Sequence, residues 1–323
     1  MRFRLARAGD LAECRAILHP ENRLRGHADD RLMELWKGLF ENDQASFVVV
    51  DDPLRPWPQS LEGFLASVFV TDTFADECIA GRPCLSAAVY ERMLAGCSPV
   101  LTAAEVRAAN STHGLNLVLL HLAVRSTDAS DRRTERALRQ VGAGLFLFRA
   151  GYRLNVVLGE AFGREQANCM MAAGLRPLDG SSGDQTGSRA PADRRSSLFL
   201  LRKEWNEPAA LGQISMLFHA PAARLGLTRA EQRTVLGALL GLTDREIAAT
   251  GSVSTDAVKK TWRRIHERMA LAIPHLEDLA HLPFAADRRS AEKRRHLIEY
   301  LRYHPEELRP ARAPGPARRS SRN

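Results

Sequence analysis

Residues 227–269 read LTRAEQRTVLGALLGLTDREIAATGSVSTDAVKKTWRRIHERM, and this stretch predicts three consecutive helices. Thr228 stands three residues before Glu231, and a second Thr-x-x-Glu pair follows at 243–246, so each pair fits a capping box at a helix start. Ser254 suits the start of a third helix, because its hydroxyl can accept a backbone N–H of the first turn. The sequence therefore predicts a small all-α unit in the C-terminal part of the chain.

The third predicted helix, residues 254–270, has an apolar side and a charged side. The apolar stripe repeats with the period of a helix and consists of Val258, Trp262, Ile265 and Met269. The opposite side carries Asp256, Lys259, Lys260, Arg263 and Arg264. A helix divided in this way can dock its stripe on two preceding helices and offer its cations to the phosphates and base edges of duplex DNA. An ordinary solvated basic face on a small helical subdomain is the alternative.

These residues resemble the DNA-binding domain of LuxR-type regulators. The matching positions are Leu227-Thr228, Glu231, Gly241-Leu242-Thr243, Glu246-Ile247-Ala248, Val253-Ser254, Val258-Lys259, Ile265 and Glu267. Gly251-Ser252, Thr261 and the bulky Trp262 depart from the family pattern. The resemblance implies that residues 254–270 form the recognition helix and that Lys259 contacts DNA. We expect the DNA contacts to come from Thr255, Asp256, Lys259, Lys260, Arg263 and Arg264.

The composition agrees with a polyanionic partner. The chain has 323 residues, a formal net charge of +8 and an isoelectric point of about 9.6, and its length favours two domains. The five cysteines are scattered, and the spacing of Cys78, Cys84 and Cys97 matches no zinc site, so we expect neither a disulfide framework nor a metal. No signal peptide or membrane span is evident, which favours the cytoplasm.

The first two hundred residues alternate between strand and helix patterns, which predicts an α/β or α+β domain. Strands are predicted at 3–5, 47–50, 61–70, 115–124, 154–158 and 198–201, and helices from Asp10 and at 84–94, 102–110, 133–148 and 164–173. Residues 179–197 are rich in Gly, Ser, Asp and Arg and predict a flexible hairpin loop.

This order resembles a GNAT acetyltransferase. RFRLARAGDLAECRAIL at 2–18 is similar to the first strand and helix of that fold, and QANCMMAAGLRPL at 166–178 to its late helix and turn. The resemblance is loose and covers most of residues 1–205, with an insertion at 79–113.

The catalytic part of the GNAT pattern is missing. The family holds the pyrophosphate of acetyl-CoA with a glycine-containing loop at a helix start, whereas residues 125–136 here read RSTDASDRRTER. Asp128 and Asp131 stand where the anion would lie, although Arg132, Arg133 and Arg136 could still hold a phosphate; a solvated, charged helix start is the alternative. Glu160, Tyr152, His113 and His121 are weak candidates for a general base, and a structural role is the default for both histidines. We therefore expect a fold that has lost catalysis.

The sequence favours a bacterial-type transcription regulator. We predict a GNAT-like α/β sensory or regulatory domain at 1–205, a linker at 206–224, an all-α LuxR-type helix-turn-helix domain at 225–285, and a basic helix with a disordered tail at 286–323. The expected partners are double-stranded DNA, a second copy of the chain, RNA polymerase and an unknown small-molecule ligand. The second copy is suggested by an apolar row of Leu271, Ile273 and Leu276. No catalytic residue, cofactor, metal or membrane partner is expected.

The main alternative is an active GNAT-type N-acetyltransferase fused to a DNA-binding module. A weaker alternative is an RNA-binding or scaffold protein that uses the basic tail at 309–323.

Overall fold

The computed structural model describes residues 1–18, 31–81, 85–126, 131–178, 196–205, 217–273 and 290–309. The chain divides into two compact units, Met1–His219 and Ala220–Asn323.

The N-terminal unit is built on one mixed sheet of seven strands in the order β1-β2-β3-β4-β5-β7-β6. All neighbouring strands are antiparallel except β4 and β5, which run parallel. The strands are β1 (Arg2–Leu5), β2 (Ala45–Asp51), β3 (Leu61–Val70), β4 (Leu115–Val124), β5 (Leu154–Phe162), β6 (Arg176–Pro177) and β7 (Ser196–Arg202). Strand β3 is buried along its whole length, as expected for a strand covered on both faces.

Helices cover both faces of this sheet. The helices of the unit are α1 (Leu11–Ala16), α2 (Leu32–Glu41), α3 (Asp72–Ile79), α4 (Leu85–Leu94), α5 (Ala103–Ser111), α6 (Arg132–Arg149) and α7 (Gly163–Ala172). Helices α1, α2 and α4 pack on one face, where Trp36, Phe64 and Tyr90 are fully buried. Helices α6 and α7 pack on the other face, around Leu145 and Phe199. The mixed α/β class expected for this part of the chain is therefore confirmed.

Helix α6 lies unusually close to the sheet at Gly144. A Cβ atom at this position would lie 2.4 Å from Cγ1 of Val48 on β2, a distance that real Cβ atoms do not adopt. Glycine therefore lets an eighteen-residue helix approach the sheet.

Most predicted elements of the N-terminal unit are present. Strand β4 has the predicted bounds, α6 extends the predicted helix by one residue at each end, and β5 continues to Phe162. Two helices had not been predicted, α2 and α3. The predicted loop lies mostly outside the described residues, which resume at residue 196.

The described part of the C-terminal unit is helical. It contains α8 (Arg229–Leu239), α9 (Asp244–Thr250), α10 (Thr255–Ala272) and α11 (Ser290–Tyr303), followed by a short 3₁₀ turn at Pro305–Leu308. Both predicted capping boxes are present, and the Ser254 hydroxyl accepts the backbone N–H of Ala257 at 3.1 Å. The predicted stripe of α10, from Val258 to Met269, is buried.

We expected the basic helix at 286–323 to lie outside the helix-turn-helix domain. Helix α11 instead packs on α8 and on the 3₁₀ turn at Pro305–Leu308. The Glu307 carboxylate accepts the backbone N–H groups of Arg224 and Leu225, each at 2.8 Å, and the Tyr300 hydroxyl at 3.1 Å. The first and last described segments of the unit are thus held together by one side chain. The predicted disordered tail beyond Arg309 lies outside the described residues.

Among the helices that the structure describes, none combines the length and the apolar character needed to cross a bilayer.

Candidate active site

Strands β4 and β5 separate before either of them ends. Their parallel pairing stops at Leu119 and Gly159, although β4 continues to Val124 and β5 to Phe162. Beyond that point β4 pairs with β3, and β5 pairs with β7. The sheet therefore opens between the carboxyl ends of its two parallel strands, the place where open α/β sheets bind ligands. We call the opening bordered by 120–124 and 160–162 the cleft.

A β-bulge in β4 marks the start of the cleft. Ala66 of β3 pairs with His121 and Ser67 with Leu119, so Leu120 is an extra residue. The Leu120 carbonyl accepts the Ser86 hydroxyl at 2.6 Å, and the Ser67 carbonyl accepts Nη2 of Arg149 at 2.7 Å. Side chains from two helices thus satisfy backbone carbonyls at the bulge, which stabilises the separation of the strands.

A carboxylate lies on the β5 side of the cleft. Glu160 follows Gly159, the last residue of β5 that pairs with β4, and is 8% exposed. Its Oε2 accepts the backbone N–H of Ser86 at 3.3 Å, in the first turn of α4. The Ser86 hydroxyl has one proton and is closer to the Leu120 carbonyl, so it donates to that carbonyl. Ser86 therefore links the two separated strands, because its backbone N–H binds Glu160 of β5 and its hydroxyl binds Leu120 of β4.

A buried hydrogen-bonded chain lies on the β4 side. The Trp36 indole N–H donates to the Tyr90 hydroxyl at 2.8 Å, and this hydroxyl lies 2.9 Å from Nε2 of His121. The donor and acceptor of this second contact depend on the tautomer of His121, whose ring is kept neutral by burial. Burial lowers the pKa of His121 to about 3 and raises that of Tyr90.

The start of α6 was weighed as a phosphate site against a solvated, charged helix start, and only part of it is available to a ligand. The Asp131 carboxylate caps the helix by accepting the backbone N–H of Arg133 at 2.9 Å. The Arg133 guanidinium donates to Glu62 at 2.7 and 2.9 Å and to Asp52 at 2.6 Å. The backbone N–H of Leu54 and the charge of Arg133 lower the pKa of Asp52. The Arg133 guanidinium is therefore occupied by these two carboxylates and is not available to a phosphate.

Three other arginines near this end of β4 are exposed: Arg125, Arg132 and Arg136. Within the part of the chain that the structure describes, none of the three has a carboxylate partner. Arg125 donates instead to the carbonyls of Leu61, at 2.8 Å, and Pro58, at 3.3 Å. A phosphate could therefore approach these three guanidinium groups.

The other candidates for a general base lie elsewhere. Tyr152 packs edge-on against Phe69, with 4.9 Å between ring centroids. His113 is exposed, 3.5 Å from Asp72, beside a shallow cavity of about 280 Å³. The cavity lies next to Gly114, which precedes β4, and so at the opposite end of that strand from the cleft. Of the four candidates, only Glu160 and His121 border the cleft. No three His, Cys, Asp or Glu side chains among the described residues could hold a metal ion.

The predicted DNA-contact residues all lie on the exposed side of α10: Thr255, Asp256, Lys259, Lys260, Arg263 and Arg264. Lys259 and Asp256 form an exposed ion pair at 3.2 Å. In the apolar row suggested for dimerisation, Leu271 is 85% exposed, whereas Ile273 is buried within its own unit and Leu276 lies outside the described residues.

The bulky Trp262 of α10 has partners on α9 and α11. Its indole N–H donates to Asp244 at 3.2 Å, and Arg294 both stacks on the ring, 4.3 Å from its centroid, and donates to Asp244 at 2.6 Å. This arrangement gives the departure from the family pattern at Trp262 a packing role.

Sequence reasoning missed Ser86, Tyr90 and Arg149, which surround the bulge. A bulge becomes visible only when two strands are aligned with each other, and no local pattern in 115–124 marks Leu120 as the extra residue. Ser86 and Tyr90 are four residues apart, which places them on one face of a helix. This spacing was the available sign that they act together.

No protein-family model matches the chain, and no curated protein matches it. Solved structures do. FeeM, an N-acyl amino acid synthase from uncultured soil microbes, is 10% identical with a TM-score of 0.35 over 66% of this chain and 96% of its own. NAA60 of Arabidopsis thaliana, in complex with a bisubstrate analogue, is 14% identical with a TM-score of 0.36 over 62% and 96%. Mosquito arylalkylamine N-acetyltransferase like 5b is 15% identical with a TM-score of 0.35 over 62% and 98%.

These similarities correct the main interpretation of the sequence. We expected a DNA-binding transcription regulator without enzymatic activity, whereas the similar solved structures are acyl-transferring enzymes. The expectation of lost catalysis is therefore not supported by these similarities. The mixed sheet, with its parallel β4 and β5, has the GNAT-like arrangement expected for the N-terminal part.

Proposed function

We propose that the N-terminal unit transfers an acyl group from a coenzyme A thioester to an amine. The observation that carries this proposal is the cleft, in which Glu160 lies beside the last paired residues of β4 and β5. An opening between parallel strands gives a thioester access to the middle of the sheet, and the buried carboxylate supplies the base that an amine nucleophile needs.

The reaction requires one proton to leave the amine. An amine nitrogen attacks the thioester carbonyl, the carbon–sulfur bond breaks, and the thiolate leaves with the electron pair. Glu160 accepts the proton that the nitrogen loses, and the departing thiolate takes up a proton to become the free thiol. General-base help of this kind contributes roughly 10²–10⁴-fold to a rate.

The described residues fit a thioester substrate of this type in two respects. Between Leu120 and Val124 the β4 edge that faces the cleft no longer pairs with β5, so its backbone groups can pair with an extended, amide-containing chain as an added strand would. Arg132 and Arg136 offer charge for phosphates at the start of α6. Since Asp131 caps that helix, arginine side chains rather than a glycine loop would hold the pyrophosphate.

The test is acyl transfer by the full-length protein. Acetyl-CoA and longer acyl-CoA thioesters would be offered with amino acids, polyamines, arylalkylamines and peptide N termini, and the released thiol measured. We expect thiol release that depends on an amine. Glu160→Gln should lower kcat about 10²-fold or more with little change in the KM for the thioester. Glu165→Gln, an exposed change of the same kind on α7, is the matched control. Absence of amine-dependent release across the panel, or full activity of Glu160→Gln, would contradict the proposal.

We propose further that the C-terminal unit is a DNA-binding module of helix-turn-helix type joined to this enzyme. The support is the exposed, cationic side of α10, whose other side is buried against α8 and α9. The N-terminal turn of α10 carries Thr255 and Asp256, where base edges are read in such motifs. Lys259, Lys260, Arg263 and Arg264 would contact phosphates and bases.

Lys259→Ala combined with Arg263→Ala should weaken binding to duplex DNA by a few kcal/mol, about 1–3 for each side chain that reads a base. Fluorescence anisotropy with a labelled duplex at several salt concentrations would measure the loss, and its salt dependence would count the phosphate contacts. Unchanged affinity in a folded double variant would remove α10 from the interface.

The remaining partners stay predictions. Light scattering with and without DNA would test the homodimer, and a pull-down with purified RNA polymerase would test that contact. The cytoplasmic location and the small-molecule ligand are likewise untested.

A further inference from the structure

The connection between β2 and β3, residues 52–60, exposes large apolar side chains on a well-fixed loop. We call it the β2–β3 loop. Leu54 is 92% exposed and Trp57 is 49% exposed. A rigid loop that presents an aromatic ring to solvent is suited to binding, because little conformational entropy is lost when a ligand arrives.

Several contacts fix the β2–β3 loop. The backbone N–H of Asp52 donates to the Ser60 carbonyl at 2.8 Å, and that of Ser60 to the Pro56 carbonyl at 3.0 Å. From outside the loop, Arg133 of α6 binds the Asp52 carboxylate at 2.6 Å. Nη2 of Arg125 donates to the Pro58 carbonyl at 3.3 Å.

These contacts place the β2–β3 loop at the end of the sheet where β4 has its carboxyl end, on the β3 side of that strand. Arg125 is the residue directly after β4, and it binds the carbonyl of Pro58, the neighbour of Trp57. The acidic groups beside the loop are paired, because Arg133 binds both Asp52 and Glu62. Arg125 has no carboxylate partner among the described residues. The backbone next to Trp57 is therefore bound by an exposed cation that has no carboxylate partner among the described residues.

We propose that Trp57 is the stacking platform for the purine of the nucleotide part of the acyl-donating thioester, with Arg125 beside its phosphates. This inference rests on the proposed function and adds a subsite to it. A thioester lying along the β4 edge brings its nucleotide end out at the end of the sheet where the β2–β3 loop also lies, and the exposed indole of that loop can stack on a base. Stacking of one base on an aromatic side chain changes affinity by about fivefold to 100-fold.

The test uses full-length protein and adenosine 3′,5′-bisphosphate, which is the nucleotide end without the thioester. Calorimetry should show binding to the wild type that weakens at least about fivefold in Trp57→Ala and recovers in part in Trp57→Phe, which retains a ring. Leu54→Ala, the matched control on the same loop, should bind as the wild type does. Equal affinity of Trp57→Ala and the wild type would overturn the inference, and would point to a protein partner for this loop.

A second measurement separates this inference from the proposed function. Trp57→Ala should raise the KM for acetyl-CoA and leave unchanged the rate with S-acetyl-N-acetylcysteamine, a thioester without a nucleotide. An unchanged KM for acetyl-CoA in an active enzyme would overturn the subsite alone. Tryptophan-dependent nucleotide binding without transfer to any amine would support the subsite and overturn the proposed reaction.

Discussion

At the scale of single residues, His121 shows how an ionisable side chain can serve as a neutral one. It is buried among Trp36, Phe64 and Tyr90, with ring centroids between 5.3 and 6.5 Å from its own. Burial holds its pKa at about 3 in the folded protein, against 6.5 for an exposed histidine. As the pH falls below 6.5, this histidine becomes protonated in the unfolded chain but stays neutral in the folded one. The free energy of unfolding therefore decreases as the pH falls towards 3.

His121→Gln should reduce this acid sensitivity. The amide can still accept the Tyr90 hydroxyl but does not titrate, so the stability of the variant should fall less steeply between pH 6.5 and 4. The difference in slope approaches about 1.4 kcal/mol per pH unit. Urea unfolding at several pH values would measure it. His113→Gln, at an exposed site, is the control and should keep the wild-type slope; a His121→Gln slope equal to that of the wild type would disprove a buried neutral histidine.

The same residue shows the limit of sequence reasoning at this scale. Glu160 and His121 could be named as candidates because each ends or continues an apolar run. Their use depends on Ser86 and Tyr90, which are brought to them by α4 from far along the chain. No spacing within one segment encodes such a meeting.

At the scale of elements, α11 is fastened to α9 and α10 by Arg294. Its guanidinium stacks on Trp262 and donates to Asp244, at the start of α9. The group is partly exposed, with 29% of the side chain accessible, so solvent weakens the charge interaction but not the stacking. The helix therefore buttresses the pair that would face DNA.

Arg294→Ala should lower the melting temperature of the C-terminal unit by a few degrees, because it removes a stacked cation and a charged hydrogen bond worth about 1–2 kcal/mol together. Arg294→Lys should recover only part of the loss, since lysine lacks the planar group that stacks. Arg302→Ala, an exposed change on the same helix, is the control. Equal melting of Arg294→Ala and the wild type would show that α11 does not support α10.

Local patterns predicted the elements that have strong signals of their own. Capping boxes marked α8 and α9, and predominantly apolar runs marked β3 and β4. Helix α2 was missed although Trp36 and Leu39 are buried on one side of it, because no capping residue marked its start. The packing of α11 was missed because its sequence is mostly basic, and nothing in that pattern distinguishes Arg294 from the arginines that face solvent.

At the scale of the whole molecule, exposed cations lie in both units. Arg132 and Arg136 lie at the start of α6, and Lys259 and Arg263 lie on α10. Arg132→Ala with Arg136→Ala should raise the KM for the acyl-CoA thioester and leave DNA affinity unchanged, whereas the α10 pair should do the reverse. Each double variant removes two charges, so each is the control for the other. A parallel loss of both activities in either variant would contradict separate sites.

The composition predicted a polyanionic partner, but a net charge of +8 does not say which polyanion. DNA and a phosphorylated thioester both attract arginine, and the strongest local pattern, at 227–269, drew the whole interpretation towards DNA. The cleft in the N-terminal unit gives a second use for the same charge. It arises from pairing between distant strands, which composition and periodicity do not report.

The bulge in β4 shifts by one residue the alternation of side chains between the two faces of the sheet. Before Leu120 the odd-numbered residues Leu115, Leu117 and Leu119 belong to the core under α6 and α7, whereas after it the even-numbered Leu122 does. If Leu120 were instead an ordinary paired residue, His121 would lie on the other face of the sheet, away from Tyr90, because side chains alternate with a period of two. The single extra residue thus decides which face of the sheet carries His121.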